Sequence, residues 1–416
     1  MKIKIIIPLL ILLCVFSLLF FYAFLQGSRS YMLGYVFSMI YVFYAFHDFY
    51  FNRRTKLLIL SLLFFLIFVL VFCFKSDSSL GRLLIYKVAF EMFKQNFFEG
   101  IGIGNFQVLY GHYQAAYFGA GQYSIKELLL ADNTYYAFND YFQLIIEIGI
   151  DGLIILILIV RFLLNSIERA FKGVRPLSLP FTLLITCCAF LISLAVAALF
   201  THIIEQTLPQ VILLISITII LYYSYWSAFG KLEKYLSVTI IFILPILFLS
   251  NFSHLTQPSV YEQWDKARTL RSAGYNYMAL ELYQGLFDNL NENGDYLLAY
   301  GDLLLVNKKP QEALIVLERA TRFKTSNQLY LLLGENYEQL GEYAKAEKAY
   351  LTAVYMVPNR FKSRYILFRF YVHQGCSSQV RHWGNSILSL PAKVPSLQVN
   401  IIRENVLEEL KNYQLE

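Results

Sequence analysis

Residues 79–152 read SLGRLLIYKVAFEMFKQNFFEGIGIGNFQVLYGHYQAAYFGAGQYSIKELLLADNTYYAFNDYFQLIIEIGIDG, the longest polar-containing interval in a chain half that is otherwise almost continuous hydrocarbon. Arg82 follows an apolar run, and Tyr86, Phe90 and Phe93 fall at helical spacing. The string Gly100, Gly102, Gly104 leads into Asn105 and Phe106, and Gly111, Gly119 and Gly121 stand among Tyr110, His112, Tyr113, Tyr117 and Tyr123. Glycines at this density let backbone lie close to a ligand or another helix, because without a Cβ the chain reaches conformations other residues avoid. The interval closes with Asn139, Asp140, Tyr141, Gln143, Glu147 and Gly149, polar groups that enter the next apolar run and need partners there.

The composition surrounding this interval is that of a membrane protein: 57% of the 416 residues are hydrophobic and 15% charged, with a mean hydropathy of +0.50. The net charge of +6 sits partly in short loops beside apolar runs, where it encodes topology; no nucleic-acid partner is expected. Cys14, Cys73, Cys187 and Cys188 lie in apolar runs and Cys376 stands by itself, a pattern without a disulfide framework or zinc spacing; no metal and no cofactor is expected.

Apolar runs at 3–24, 31–51, 57–74, 141–164, 180–200, 208–229 and 235–252 are each long enough for a bilayer core of about 30 Å, giving about seven spans. The first is too long for a cleaved signal and lacks a small-x-small site. Arg53, Arg54 and Lys56, then Arg169, Lys172 and Arg175, then Lys231 and Lys234 place three loops in the cytoplasm, which sends the quoted interval, the 201–207 turn and everything after about 253 outside. Lys2 and Lys4 disagree, landing outside against their charge. The expected organisation is three membrane helices over 1–74, a large external loop over 75–140, four membrane helices over 141–252, and a soluble helical domain over 259–416.

That last domain carries an internal repeat. Gly334, Tyr337, Gly341, Ala346, Tyr350, Ala353 and Pro358 fit a tetratricopeptide template over 327–360, and earlier copies carry Gly301, Ala313, Leu317 and Ala320, and Ala267, Gly274, Ala279 and Tyr283. Small residues let paired helices touch while Tyr and Leu fill the gap to the next pair. A weaker unit covers 361–390, and 401–415, with Ile402, Val406, Leu407 and Leu410 along one face, is expected to cap the stack. The fold class is therefore all-α: a polytopic α-helical membrane domain followed by a tetratricopeptide-type α-solenoid.

The ordered set R-x3-Y-x2-A-x7-F-x2-G-I-G-x-G-N-F, an aromatic-rich interval, then N-D-Y-x-Q-x3-E-x-G-x2-G resembles the signature loop of the bacterial O-antigen ligase and polymerase family, across roughly the middle fifth of the chain. The resemblance implies a glycosyltransferase in the inner membrane, its loop and repeats periplasmic, moving a saccharide from a polyprenyl-diphosphate-linked glycan donor to a sugar, lipid A core or protein acceptor. Many such ligases have a histidine just before the closing Asn; here that position is Phe138. Family members have several more spans before the loop, so an N-terminally short chain is expected.

Arg82 is either a boundary arginine reaching the headgroups or, as its place in the motif favours, a clamp on the donor diphosphate. Glu147, Asp140 and His112, in that order, are the candidates for the base, with Arg82 completing the expected catalytic set. Gly102, Gly104, Asn105 and Asn139 are the expected substrate-binding positions, although Asn139 and Asp140 serve equally well as helix caps. Polymerase activity is the alternative within the family. From a different class, a catalytically degenerate membrane anchor whose repeats recruit a protein partner is also consistent with the missing histidine.

Overall fold

The computed structural model describes residues 3–50, 76–225 and 258–412. The expected spans at 57–74 and 235–252, with Arg53, Arg54, Lys56, Lys231 and Lys234, lie outside the described residues. Those described are helices and loops, without strands, and the chain divides into two compact units: 1–75 with 136–256, and 76–135 with 257–416.

The first unit contains α1 (Ile3–Leu25), α2 (Arg29–Tyr50), α6 (Asp140–Ile148), α7 (Ile150–Lys172), α8 (Leu179–Ala198) and α9 (Thr207–Tyr225). Helices α7, α8 and α9 are long and apolar enough to cross a membrane, and the stretch Leu10–Leu25 of α1 is a shorter apolar one. Helix α2 packs most extensively on α8. Gly34 lies against the Ser193 carbonyl at the crossing, and the Ser38 hydroxyl donates to the carbonyl of Ala189 at 2.6 Å, the small-residue contact by which helices approach closely where lipid offers no hydrophobic drive. Phe16, fully buried, packs on Phe190 with ring centroids 5.1 Å apart. Ile157, Leu158 and Leu164 on α7 are exposed, an apolar face suited to acyl chains.

The sequence suggests one continuous run from Tyr141, but the helix breaks at Gly149, whose φ of +79° favours glycine. The break leaves α6 as a short amphipathic piece ahead of the apolar helix. Asn139 starts α6 as an N-cap, its side chain accepting the Phe142 N–H at 3.0 Å.

The second unit joins the polar interval to the repeats. Helices α3 (Ser76–Gln95), α4 (Phe106–Gly119) and α5 (Ile125–Leu130) share this unit with four helical pairs: α10 (Pro258–Ser272) with α11 (Asn276–Leu290), α12 (Gly294–Val306) with α13 (Pro310–Ala320), α14 (Asn327–Gln339) with α15 (Tyr343–Met356), and α16 (Phe361–His373) with α17 (Ser377–Ser389). Helix α18 (Leu397–Asn412) closes the stack with Ile402, Val406 and Leu410; Leu407, expected on that face, is exposed. A Cβ at Gly301 would strike the Leu317 side chain and one at Gly334 the Tyr350 ring, so these repeats depend on glycine where paired helices touch.

Helix α4 lies along α15. The buried Gln114 side chain donates to the carbonyls of Met356 and, at 3.0 Å, Asp132. Beyond α5 the backbone of 131–135 has no helix to satisfy it, and the repeats supply partners instead. The Asn359 amide reaches the carbonyls of Leu128, Leu129 and Ala131 at 3.0, 3.0 and 2.8 Å. Asn133 and Asn327 form a reciprocal pair: the Asn133 amide donates to Asn327 Oδ1 at 2.9 Å, and the Asn327 N–H donates to Asn133 Oδ1 at 3.0 Å. Asp132 and Arg360 pair at 2.7 Å, but both are exposed and the ion pair contributes little.

Asn359→Ala removes the shared donor from three carbonyls, a change of about 1–3 kcal/mol. Trypsin cleavage of the full-length protein after the exposed Lys126 is expected to accelerate about tenfold, with cleavage after Lys348 unchanged, as read by peptide mass spectrometry.

Candidate functional site

The sequence-selected residues fall in both compact units, and each group has its own geometry. In the first unit, Asn139, Asp140 and Glu147 are carried by the start of α6 and its buried face. Asp140 is buried, and its Oδ2 accepts the backbone N–H groups of Ile203 at 2.8 Å and Ile204 at 3.2 Å, pinning the 199–206 turn to the α6 N-terminus. Burial raises its carboxyl to about 6 despite these two donors, with the charge of Glu205 adding to the rise. Glu147, also buried, accepts from the Gln143 amide at 3.2 Å. It lies before the Gly149 break, outside the candidate span, so its partner is this glutamine on its own helix. Gln143 in turn accepts the Ala137 N–H at 3.0 Å.

The turn between α8 and α9 completes this group. His202 stacks face to face on Tyr136, with centroids 4.2 Å apart and planes 6° from parallel, and meets the edge of Phe138 at 5.7 Å. Phe138 holds φ = +53°, a left-handed conformation costing a bulky residue about 1–3 kcal/mol that its surroundings must offset. Partial burial lowers the His202 imidazole below its usual value, and burial together with the charge of Glu147 raises the carboxyl of Glu205. The Tyr31 hydroxyl donates to Gln206 at 2.7 Å, and the Ser30 hydroxyl to the Phe200 carbonyl at 3.2 Å, so α2 fastens the turn from another side.

In the second unit, Arg82 lies half-buried on α3, two residues before the buried Leu84. The glycine string forms the turn between α3 and α4. Gly102 has φ = +89°, and a Cβ there would come within 2.7 Å of Asn105 Nδ2; Gly104 has φ = +79°. The Asn105 amide donates to the Ile101 carbonyl at 2.8 Å, so this side chain and both glycines build the reversal itself. His112, on α4, has its Nε2 3.0 Å from the Tyr330 hydroxyl and its ring edge-on to that tyrosine, joining the loop to the repeats. Burial lowers its pKa.

Residues 14–157 match the family model for O-antigen ligase. That segment is similar to O-antigen ligase. The ligase match runs from α1 into α7 and takes in Arg82, the glycine turn and the closing Asn139–Glu147 motif. It therefore includes the whole of 76–135, the segment packed against the repeats. His202 and Glu205 lie beyond it. The chain is a membrane protein in which a segment similar to O-antigen ligase is followed by helical repeats. No curated protein sequence matches the chain. Among solved structures, a crystal structure of MamA protein is 17% identical, covering 37% of this chain and 89% of that one at a TM-score of 0.31. MamA 41-end from Desulfovibrio magneticus RS-1 is 18% identical, covering 38% and 93% at a TM-score of 0.31.

Sequence reading passed over the asparagines that bind the loop to the repeats. Asn327 and Asn359 stand at corresponding corners of successive helix pairs, a positional echo that the small-residue template does not contain. The pinning of 203–204 by Asp140 had a partial signal, since an Asx residue at a helix start invites a backbone donor, though not one from 63 positions away.

Replacing Asp140 separates its acceptor role from its charge. Asp140→Asn retains an oxygen for both N–H groups and is expected to leave the unfolding temperature at neutral pH unchanged or raised, whereas Asp140→Ala is destabilised by about 1–3 kcal/mol. Because the folded-state value is raised from 3.8 to about 6, the protonated carboxyl favours the fold below about 4 and that contribution disappears as pH rises to about 6. Thermal unfolding of wild type against Asp140→Asn across pH 4–7 measures this difference.

Proposed function

We propose that the protein is a glycan transferase of the inner membrane that moves a saccharide from a polyprenyl-diphosphate carrier to an acceptor sugar, lipid A core or protein at the periplasmic face. One observation carries the reading: the ordered motif from Arg82 to Glu147 lies within an O-antigen ligase domain of a membrane-spanning chain. A lipid diphosphate is already a good leaving group, so the chemistry is mainly alignment, charge stabilisation and removal of one proton. Arg82 stabilises the diphosphate as the anomeric C–O bond breaks, its planar fork suited to two phosphoryl oxygens. The glycine turn sets α3 against α4, and α4 and 131–135 rest on the repeats, so the side chains of this loop are held by a folded support. In this reading the repeats serve the loop first, and any protein partner binds a surface the loop leaves open.

Deletion of the gene and complementation tests the reading. Wild type is expected to restore transferred glycan on a surface-glycan ladder; Arg82→Ala and Arg82→Lys, inserted at equal levels, are expected to fail by at least a hundredfold. Restoration by Arg82→Ala equal to wild type contradicts the clamp. A ladder restored in chain length but not in attachment would favour the polymerase over the ligase.

A further inference from the structure

A cavity of about 400 Å³ lies within the second unit, between α4 of the polar interval and α15 of the third helix pair. That volume falls in the range of small-ligand sites, roughly 300–1,000 Å³. The two helices meet closely at Gly111 and Gln114, and the space opens beside them because α4 lines it with alanines, the exposed Ala116 among them.

The lining is mixed: His112, Glu347, Lys348 and Thr352 bring polar groups, and Tyr355 brings a ring with its hydroxyl. Three of these side chains are held from behind. His112 Nε2 lies 3.0 Å from the Tyr330 hydroxyl, Glu347 Oε1 accepts the Tyr371 hydroxyl at 2.6 Å, and the Thr352 hydroxyl donates to the Lys348 carbonyl at 2.8 Å. Each keeps a further position for a ligand: His112 Nδ1, Glu347 Oε2 and a Thr352 oxygen lone pair, none bonded to a described residue. Lys348 makes no ion pair with a described residue, and the Tyr355 hydroxyl makes no hydrogen bond with one. The Tyr355 ring leans on Trp383, with centroids 6.3 Å apart, and even a Cβ at Gly119 would stand 3.9 Å from it. Polar groups fixed by supporting bonds around an open aromatic ring are the features of a built site.

This inventory selects among ligands. Lys348 has the Glu347 carboxylate beside it in the lining, a poor setting for an isolated anion, and the charged groups do not suit an acyl chain. An extended peptide needs side-chain amides for its main chain, but the Asn359 amide is spent on the loop carbonyls and the Asn327 amide on the Ser363 hydroxyl. A sugar ring fits on both counts: its hydroxyls donate and accept, and its C–H face lies flat on an aromatic ring. We propose that the cavity between α4 and α15 is a saccharide-binding site, in which Tyr355 supplies the stacking face and His112, Glu347, Lys348 and Thr352 meet the hydroxyls. It rests on the transferase reading above only for the source of the sugar, a short stretch of the transferred glycan held at the junction of loop and repeats.

The test uses full-length protein in lipid nanodiscs, titrated with the oligosaccharide released by mild acid from the cell's own lipid-linked glycan and followed by saturation-transfer NMR. Because Ala116 is exposed, Ala116→Trp fills the cavity without overpacking the core. Wild type is expected to transfer saturation to sugar-ring protons, Tyr355→Ala to bind about tenfold more weakly, and Ala116→Trp to show no transfer at an unchanged unfolding temperature. Absence of binding to wild type, or binding that Ala116→Trp leaves unaltered, overturns the site. Transfer to a capped Ala–Ser decapeptide, lost in Ala116→Trp and without transfer to the sugar, gives the cavity to a peptide and likewise overturns it. Sugar binding by a protein whose gene deletion leaves the surface-glycan ladder unchanged would instead remove the transferase reading and leave the saccharide site standing.

Discussion

One side-chain amide on the repeats, that of Asn359, holds three main-chain carbonyls of the 76–135 loop. The constraint behind it is general: where helix α5 ends and the chain runs on without regular structure, every peptide group needs a partner or water. Here Asn359 and Gln114 meet that need, Asn327 pairs with the Asn133 side chain, and Gly111 allows α4 to lie against Thr325 and Met356. A loop of this length in a membrane protein would otherwise have little to fold on. The appended repeats are thus part of the loop's own fold, which explains why 76–135 groups with 257–416 in one compact unit and not with the membrane helices that flank it in sequence.

The membrane-side unit solves a different problem. A turn between two apolar helices must present polar groups without letting them wander, and three elements fix it: Asp140 from α6, Tyr31 and Ser30 from α2, and the aromatic pair Tyr136 and Phe138. Burying the Asp140 carboxyl is unfavourable, as its raised pKa reports, and its two backbone donors offset only part of that. The strained Phe138 adds to the cost. Strain and a buried charge held by the same few residues are features found where geometry serves chemistry.

Much of the fold was legible because it obeys periodicities. Apolar runs marked α7, α8 and α9, and Gly301 and Gly334 marked the helix pairs because their neighbours, Leu317 and Tyr350, leave no room for a Cβ. Asn139 was legible as a cap from residue type alone. The Gly149 break was not, since a single glycine inside an apolar run fits a continuous helix nearly as well. Leu407 shared the spacing of its buried neighbours yet faces outward, because only the i, i+4, i+8 row of Ile402, Val406 and Leu410 meets the stack. The Asn359 bonds had no signal, for they join carbonyls at the end of α5 to a side chain 228 to 231 positions away. The bond from the Asn105 amide to the Ile101 carbonyl, which closes the glycine turn, likewise had no signal in the spacing.

The dependence of the loop on the repeats is tested most directly by a cross-link across their contact. A Cβ at position 111 would lie 3.0 Å from the Thr325 Cγ2, within disulfide reach of a cysteine at 325. The full-length double variant Gly111→Cys, Thr325→Cys, with the native cysteines replaced, would be oxidised in native membranes and the linked peptide read by mass spectrometry. The account predicts near-complete cross-linking within each chain. Two free thiols after oxidation, in protein that still inserts normally, would contradict it.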